Sequence, residues 1–410
     1  MLTNEEKRVV YYAGSLQPTL PRTVTADTPL EALSLNWRER DLPERERTKH
    51  VHRLHPYLGK FIPQLVEIFL RKYFHRGQTV LDPFVGSGTT LVQANELGIN
   101  AVGHDVSAFN VMLCRAKTAN YDPLRVRAEL LDILDKTAAT ARHSSHGQLT
   151  LIPSPPDSRP EPNEVDSDYL RSWYAPQALT ELLTYRHFIE TGGYRYKHLL
   201  KVVLSRSARS ARLTTHFDLD FPKRPQTQEY WCYKHSRTCT PTTEAMKFLK
   251  RYTLDTIRRV EDYARARTDA EVTVRHADSR KAIFPPVDGV ITSPPYVGLI
   301  DYHDQHAYAY HLLGLKDKRH WEIGPAANGS GQKAKGEYQQ AIAEVFRRAV
   351  AAMPSGGHLI VVAADKFDLY GEIAALIAVE VEGVVQRHVN RRTGRRSNEF
   401  YESVFIWRKR

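Results

Sequence analysis

Short apolar runs alternate with helical patterns along the first third of the chain. Residues 79–82 and 101–105 are apolar runs typical of buried strands, and each precedes a segment with helical spacing, at residues 89–97 and 108–116. Another helix is predicted to begin at Pro63, because the fixed φ of proline suits a first helical turn. Strands that alternate with helices in this way predict a parallel sheet covered by helices.

The alternation stops near residue 120 and returns near residue 270. Residues 143–168 are rich in Pro, Ser and Asp and are predicted to form a linker, and residues 169–265 are predicted to be mainly helical. The later predicted elements are strands at residues 271–276, 289–292 and 357–363, a helix at 337–352, and a closing antiparallel hairpin formed by 383–389 and 403–407.

This pattern predicts one α/β domain that is interrupted by an insertion. The expected division is an N-terminal arm (1–50), a first part of the α/β domain (51–120), a mainly helical insertion (121–268) and a second part of the α/β domain (269–410).

The composition is that of a globular chain. Of its 410 residues 41% are hydrophobic, which is enough for a sizeable core. No apolar run is long enough to span a bilayer, and the charged N-terminus lacks a signal peptide, so no membrane association is expected. Three cysteines are too few for a disulfide framework, which favours a reducing cytoplasm.

The net charge of +11 is concentrated in two segments. Residues 191–260 hold 15 Lys and Arg against 5 Asp and Glu, and residues 385–410 hold 8 against 2. Clustered positive charge indicates a polyanionic partner, with nucleic acid as the first candidate. The alternative is a solvated surface that happens to be basic.

A glycine-rich loop joins the first predicted strand to its helix. Gly86 and Gly88 lie in the sequence DPFVGSGTT, where glycines would let the backbone approach a ligand closely. A phosphate-binding loop of the ATPase type is disfavoured, because no Lys precedes Thr89. Asp105 ends the next strand, 17 residues after Gly88, and is placed to accept hydrogen bonds from ribose hydroxyls. An ordinary tight turn with a capping Asp remains the alternative.

A second turn follows the strand at residues 289–292. Its residues are Ser293, Pro294, Pro295 and Tyr296. The prolines stiffen the backbone and lack N–H groups, which leaves the carbonyls of Ser293 and Pro294 available to a donor. Tyr296 offers a flat face for a planar ligand. The turn could hold an exocyclic amine while its ring stacks on Tyr296, or it could be a rigid surface turn.

These motifs resemble those of the AdoMet-dependent DNA amino-methyltransferases. LDPFVGSGTT is similar to the family's motif I, TSPPY to its catalytic motif IV, and HPYLGKFIP (55–63) to its motif X. The resemblance covers roughly 50–118 and 270–410, and it implies S-adenosylmethionine (AdoMet) as the cofactor. The residues that it assigns to AdoMet binding are Lys60, Phe61, Asp82, Phe84, Gly86, Ser87, Gly88, Thr89, Asp105 and Asp278.

The resemblance also implies a fold and a reaction. The expected fold is the Rossmann-like class I methyltransferase fold, with a mostly parallel seven-stranded sheet and a C-terminal antiparallel hairpin. Serine at the first place of the catalytic motif is typical of enzymes that methylate cytosine at N4, whereas aspartate is typical of adenine N6 enzymes. An adenine target, an RNA or protein amine, and a non-catalytic AdoMet- or nucleic-acid-binding module remain alternatives.

The expected chemistry is direct methyl transfer to a base that has been flipped out of duplex DNA. Hydrogen bonds from the amine to Ser293 and to the carbonyl of Pro294 would direct its lone pair at the methyl group. The base would stack on Tyr296. No cysteine lies near either motif, which argues against the thiolate route to carbon 5. A restriction endonuclease acting separately is a possible partner.

Two arginine groups are predicted to contact DNA. Arg206, Arg209 and Arg212 are spaced three apart, so they share one face if the segment is helical. Arginine on such a face suits phosphate and guanine. A second group lies in the C-terminal hairpin and comprises Arg391, Arg392 and Arg395. A solvated helix face and a charged turn are the respective alternatives.

Cys232, His235 and Cys239 raise the question of zinc. Structural zinc requires four ligands, usually in paired short spacings. The sequence offers no clear fourth ligand near these three residues, so no metal is expected.

Overall fold

The computed structural model describes residues 10–12, 17–59, 61–145, 167–216, 218–219, 222–298, 301–389 and 400–410. Ten strands are found in these ranges: β1 (Val10–Tyr12), β2 (Thr79–Asp82), β3 (Asn100–Asp105), β4 (Tyr230–Cys232), β5 (Arg237–Cys239), β6 (Val272–His276), β7 (Gly289–Thr292), β8 (His358–Ala363), β9 (Glu380–Val389) and β10 (Phe400–Arg408).

The same ranges contain thirteen α-helices: α1 (Glu44–Arg47), α2 (Pro63–Tyr73), α3 (Thr89–Glu96), α4 (Ala108–Thr118), α5 (Pro123–Ser145), α6 (Asp168–Trp173), α7 (Pro176–Thr191), α8 (Lys197–Ala211), α9 (Met246–Ala266), α10 (Tyr302–Gln305), α11 (Ala307–Leu313), α12 (Gln332–Ala351) and α13 (Tyr370–Leu376). None of these helices is long and apolar enough to cross a bilayer.

Eight strands form one sheet in the order β1-β9-β10-β8-β7-β2-β3-β6. The strands β2, β3, β6, β7 and β8 pair in parallel, and β10 is antiparallel to both β8 and β9. This order, with β2 between β7 and β3 and the antiparallel β10 inserted between β8 and β9, is that of the Rossmann-like class I methyltransferase fold. The seven predicted strands are all present, and β1 adds an eighth that the sequence analysis did not predict.

Helices cover both faces of the sheet because its central strands are apolar on both sides. Helices α2 and α3 pack on one face through residues such as Leu65 and Leu91, and α12 and α13 pack on the other through Phe346 and Ile373. The burial of β7 is complete along its length. The sheet is therefore covered by helices on both faces, and its carboxyl edge carries the glycine-rich loop and the SPPY turn (Ser293–Tyr296).

The N-terminal arm is more ordered than its polar sequence predicts. Strand β1 pairs in parallel with β9, with Val10 opposite Val384. Val24, Leu33 and Leu35 are buried in the same hydrophobic cluster as α2. The arm therefore extends the sheet and covers part of one face.

The insertion leaves the sheet after β3 and returns at β6, as the sequence analysis predicted. Its helices α5, α7, α8 and α9 pack against one another and share a hydrophobic cluster with α4 and α11 of the α/β domain. Strands β4 and β5 form a separate two-stranded hairpin. The boundaries of the four predicted segments stay a prediction, because the helical core is continuous across them.

Candidate active site

A cavity of about 790 Å³ opens at the carboxyl edge of the sheet. In open α/β sheets this is the place where ligands bind. The cavity is lined by residues from both predicted motifs. The predicted site residues in its lining are Phe61, Phe84, Gly86, Ser87, Thr89, Asp105, Asp278, Ser293 and Pro295.

Gly88 gives the glycine-rich loop its sharp entry into α3. It adopts a left-handed conformation (φ +81°), and a Cβ atom there would lie 3.0 Å from the Sγ of Cys114. Gly86 is also left-handed (φ +47°), and its Cβ would approach the Tyr57 hydroxyl at 3.2 Å. The ammonium group of buried Lys117 donates to the carbonyl of Ser87 at 2.6 Å. Glycine is therefore needed at both positions because of the backbone and of close neighbours.

The buried carboxylates of Asp82 and Asp105 fix the glycine-rich loop and the strands next to it. One oxygen of Asp105 accepts from the backbone N–H of Gly86 (2.9 Å), and the other accepts from that of Ser107 (2.8 Å). Asp82 accepts from the Thr292 hydroxyl (2.6 Å) on the neighbouring strand β7. Burial raises the pKa of Asp82 and that of Asp105 to about 6 each. Asp105 lines the cavity, whereas Asp82 ties the two motif-bearing strands together.

Asp278 reaches the cavity from the loop after β6, but its carboxylate is already engaged. The guanidinium of Arg280 donates to both of its oxygens, at 2.9 and 2.8 Å. The neighbouring Ser279 hydroxyl donates to the carbonyl of Pro83 at 2.7 Å, which fixes this loop against the glycine-rich loop. The backbone N–H of Arg280 also donates to Asp278, at 3.0 Å, so backbone and side-chain N–H groups of one residue hold this carboxylate.

Two members of the SPPY turn (Ser293–Tyr296) belong to the lining of the cavity, and Tyr296 does not. Ser293 and Pro295 line the cavity. The Tyr296 hydroxyl donates to Glu402 of β10 at 3.3 Å, and Glu402 also accepts from Arg387 of β9 at 2.8 Å. Burial raises the pKa of Tyr296 well above its usual value. The tyrosine is thus a neutral hydrogen-bond donor whose hydroxyl is anchored to the C-terminal strands.

Several side chains of the cavity were not identified from the sequence. They are Tyr57, Asn110, Trp321 and Glu322. Tyr57 lies within the motif X segment but was not singled out, and the rings of Tyr57 and Tyr302 stack with centroids 6.0 Å apart. The others come from α4 and from the segments after β7. For Trp321, the only signal in the sequence was an aromatic residue within a polar segment.

The cavity has polar atoms without a partner in the protein. Among the described side chains, the Ser87 hydroxyl and the Asn110 carbonyl oxygen are buried and make no hydrogen bond. Buried polar groups are almost always satisfied, so these atoms call for a ligand with donors and acceptors. Together with the Asp105 carboxylate, they fit the ribose and amino-acid ends of AdoMet. Lys60, which the sequence analysis also assigned to the cofactor, lies outside the described residues.

The prediction that Arg206 and Arg212 present a DNA-binding face is wrong. Arg206 is buried, pairs with Asp255 at 2.6 Å and stacks on the ring of Tyr252. Arg212 is also buried, and it donates to the carbonyl of Leu219 at 2.6 Å. Spacing three apart placed these side chains on one face of α8, but that face is directed into the protein.

Arg209 is half-buried on the same helix, and its contact with DNA stays a prediction. The second predicted group, Arg391, Arg392 and Arg395, lies outside the described residues.

The sequence analysis also missed a partner of Cys232, His235 and Cys239. His216 lies beside them, and the four side chains bring one potential ligand atom each to within 4.8 Å of one another. His216 is therefore a fourth potential ligand, which was not clear from the sequence.

The strand order, the glycine-rich loop and the cavity at the carboxyl edge define an AdoMet-dependent methyltransferase. A family model described as DNA methylase, of the N6/N4 methyltransferase type, matches residues 5–113. The chain is 35% identical to the type II methyltransferase M.MjaII of Methanocaldococcus jannaschii over 89% of this chain and 81% of that protein. The protein therefore belongs to the DNA amino-methyltransferase family, and its cofactor is AdoMet.

More distant similarities were also found. The type II methyltransferase M.BsoBI of Geobacillus stearothermophilus is 21% identical, over 68% of this chain and 56% of its own length. The solved structure of the rRNA methyltransferase aviRa from Streptomyces viridochromogenes is 13% identical, covering 86% of this chain and 88% of that chain, with a TM-score of 0.35. The family assignment rests on the first relative.

Proposed function

We propose that the protein is a site-specific methyltransferase of duplex DNA that transfers a methyl group from AdoMet to the exocyclic N4 of cytosine, as the protective enzyme of a restriction–modification system. The observation that carries the proposal is the meeting of two motifs. Ser293 of the SPPY turn and the glycine-rich loop line one cavity. The family relationship supports DNA as the substrate.

The exocyclic amine of a base is a weak nucleophile, because its lone pair is delocalised into the ring. The site must therefore make this amine more reactive. AdoMet, when bound, supplies an electrophilic methyl group on a sulfonium. The Ser293 hydroxyl accepts a hydrogen bond from the amine and favours a pyramidal nitrogen. The rigid Pro294–Pro295 backbone holds the accepting groups in one orientation, which lowers the cost of positioning the amine.

Tyr296 is proposed to support the flipped base with its ring. Its hydroxyl bond to Glu402, and the bond from Arg387 to the same carboxylate, restrict how the ring can move. The carbonyl of Pro295 accepts from the Tyr338 hydroxyl at 2.9 Å, which fixes the turn from the other side. A turn that is held at two points can receive a base without rearranging. The base must leave the duplex to reach this turn.

The hairpin β4–β5 is the best-placed DNA-contacting surface among the described residues of the insertion. Its exposed side chains include Trp231, Tyr233, Lys234 and Arg237. Basic groups with interleaved aromatic rings bind phosphates and stack on bases. This surface replaces Arg206 and Arg212 in the proposal, since those two side chains are committed to protein partners.

The test is product identification. Purified protein is incubated with AdoMet and unmethylated plasmid, the DNA is digested to nucleosides, and the product is identified by mass. Ser293→Ala is the matched variant, with AdoMet affinity as the control for folding. We expect N4-methylcytosine from the wild type and a methylation rate about 100-fold or more lower in Ser293→Ala. The AdoMet affinity of the variant should equal that of the wild type.

Other products discriminate the alternatives. N6-methyladenine would overturn the cytosine assignment and keep the fold and the turn's role. AdoMet binding with no methylated base would favour an RNA or protein substrate, or a non-catalytic binding module.

A further inference from the structure

We propose that His216, Cys232, His235 and Cys239 bind one Zn²⁺ ion that stabilises the β4–β5 hairpin. The two cysteines end the two strands, His235 lies in the turn between them, and His216 comes from the segment after α8. Cys232 and Cys239 are both buried, while the two histidines close the cluster from the solvent side.

The distances between the ligand atoms match a tetrahedral site. The Sγ of Cys232 lies 3.6 Å from the Nδ1 of His216 and 3.6 Å from that of His235. The Sγ of Cys239 lies 3.5 Å from the Nδ1 of His235. A tetrahedron with ordinary Zn–S and Zn–N bonds has S···N edges of roughly 3.5–3.6 Å. The side chains therefore already have the spacing that one central ion requires.

The chemistry of the ligands selects zinc. Two thiolates and two imidazoles form the Cys₂His₂ set of structural zinc sites, with all four positions filled by protein. Binding releases the two thiol protons to solvent, and the thiolates then balance the charge of the ion.

The hairpin also needs a stabilising element that the rest of the fold does not provide. Among the described residues between 213 and 244, only Thr214, Cys232 and Cys239 are buried, and none belongs to a large hydrophobic cluster. A two-stranded hairpin alone is at best marginally stable in water. In the turn, Ser236 holds a left-handed conformation (φ +51°), which is unusual for serine and requires support from its surroundings.

The Tyr230 hydroxyl competes with a metal ion for the lone pair on the Nδ1 of His216. The Tyr230 hydroxyl lies 3.0 Å from the Nδ1 of His216 and also accepts from the His216 backbone N–H. A simple hydrogen-bonded cluster would use this hydroxyl, whereas a metal site does not need it. Tyr230→Phe therefore separates the two arrangements: it should leave metal binding intact.

The test measures metal content in the full-length protein. Wild type, Cys232→Ser, Cys239→Ser, Tyr230→Phe and the control Cys114→Ala are purified without chelators, and zinc is measured by mass spectrometry. We expect one zinc per chain in the wild type, in Tyr230→Phe and in Cys114→Ala, and a loss of most of the zinc in the other two. AdoMet affinity reports whether each variant retains the folded α/β domain, independently of the methylated product.

A second measurement covers the case in which the cysteine variants do not fold. Metal-free, reduced wild type is titrated with Co²⁺, and a thiolate-to-cobalt charge-transfer band that saturates at one equivalent is expected, with Zn²⁺ displacing it. The proposal is overturned if the wild type binds neither Zn²⁺ nor Co²⁺, or if zinc persists in both cysteine variants. It is also overturned if Cys232 and Cys239 form a disulfide and the reduced protein gives no cobalt band. A zinc site without DNA methylation would leave this inference intact and overturn only the proposed function.

Discussion

The helical part of the insertion and its β4–β5 hairpin are adjacent in the chain but are stabilised in opposite ways. In the helical part, residues such as Leu130, Leu182 and Val203 pack into a core shared with the α/β domain. In the hairpin, the described residues contribute almost no buried apolar surface. The basic side chains follow the same division: Arg206 is buried against a carboxylate, and Arg237 is exposed.

This difference shows that burial, and not spacing, decides what a basic residue does. Arg206 and Arg212 resembled a nucleic-acid surface in sequence, yet both are buried and bonded to partners within the protein. The irregular hairpin, where no helical pattern exists, carries the exposed basic and aromatic side chains. A binding surface needs side chains that are free to meet a partner, and a packed helix interior does not leave them free.

The largest effect is expected where a buried charge loses its partner. Asp255 accepts from buried Arg206 at 2.6 Å and from exposed Arg258 at 3.1 Å. Arg206→Ala should lower the free energy of unfolding by about 1–3 kcal/mol, because it removes a buried guanidinium that packs on Tyr252, while Arg259 remains paired with Asp255 at 2.8 Å. Arg258→Ala is the matched control, because Arg258 pairs with the same carboxylate. It should change the free energy of unfolding by no more than about 0.5 kcal/mol. Urea denaturation followed by circular dichroism measures both, and equal effects would contradict the division.

A smaller effect is expected from acid. Desolvation raises the pKa of Asp255, but hydrogen bonds from Arg259 and Arg206 outweigh it and lower the pKa to about 2. The unfolded carboxyl has a pKa of about 3.9, so the stabilisation is complete above that pH and is lost as the pH falls toward 2. The stability difference between wild type and Arg206→Ala should be constant at higher pH and should narrow between about pH 4 and 2.

Denaturation at a series of pH values checks this expectation. A difference that narrows already between pH 7 and 5 would mean that another group titrates with the pair.

The smallest effect on stability is expected in the hairpin. Arg237→Ala should change the free energy of unfolding by less than about 0.5 kcal/mol, because the side chain is exposed. If this guanidinium contacts a phosphate, the slope of log K for DNA binding against log salt should decrease in magnitude by about 1. Binding titrations at several salt concentrations measure the slope, and an unchanged slope would remove Arg237 from the proposed surface.

Much of the sheet could be predicted from the sequence because its central strands are buried on both faces. Such strands appear as short continuous apolar runs, and β2, β3 and β7 were predicted within one residue of their observed bounds. Strand β1 was missed because its pairing partner lies at the other end of the chain. No local pattern records a contact of that kind.

The site was predicted where chemistry depends on neighbours in the sequence, and missed where it depends on tertiary contacts. Ser293 and Gly88 belong to compact motifs whose order along the chain is their signal. Trp321 and Glu322 line the cavity although they lie far along the chain from both motifs. His216 lies 16 residues before Cys232, a separation at which spacing no longer identifies a ligand.

The pairing of β1 with β9 has a consequence for the order in which the protein is made. Val10 is synthesised long before its partner Val384, and His388 of β9 donates its backbone N–H to Asn36 of the arm. Contacts between such distant parts of a chain form slowly. This edge of the sheet can therefore close only after β9 has been synthesised.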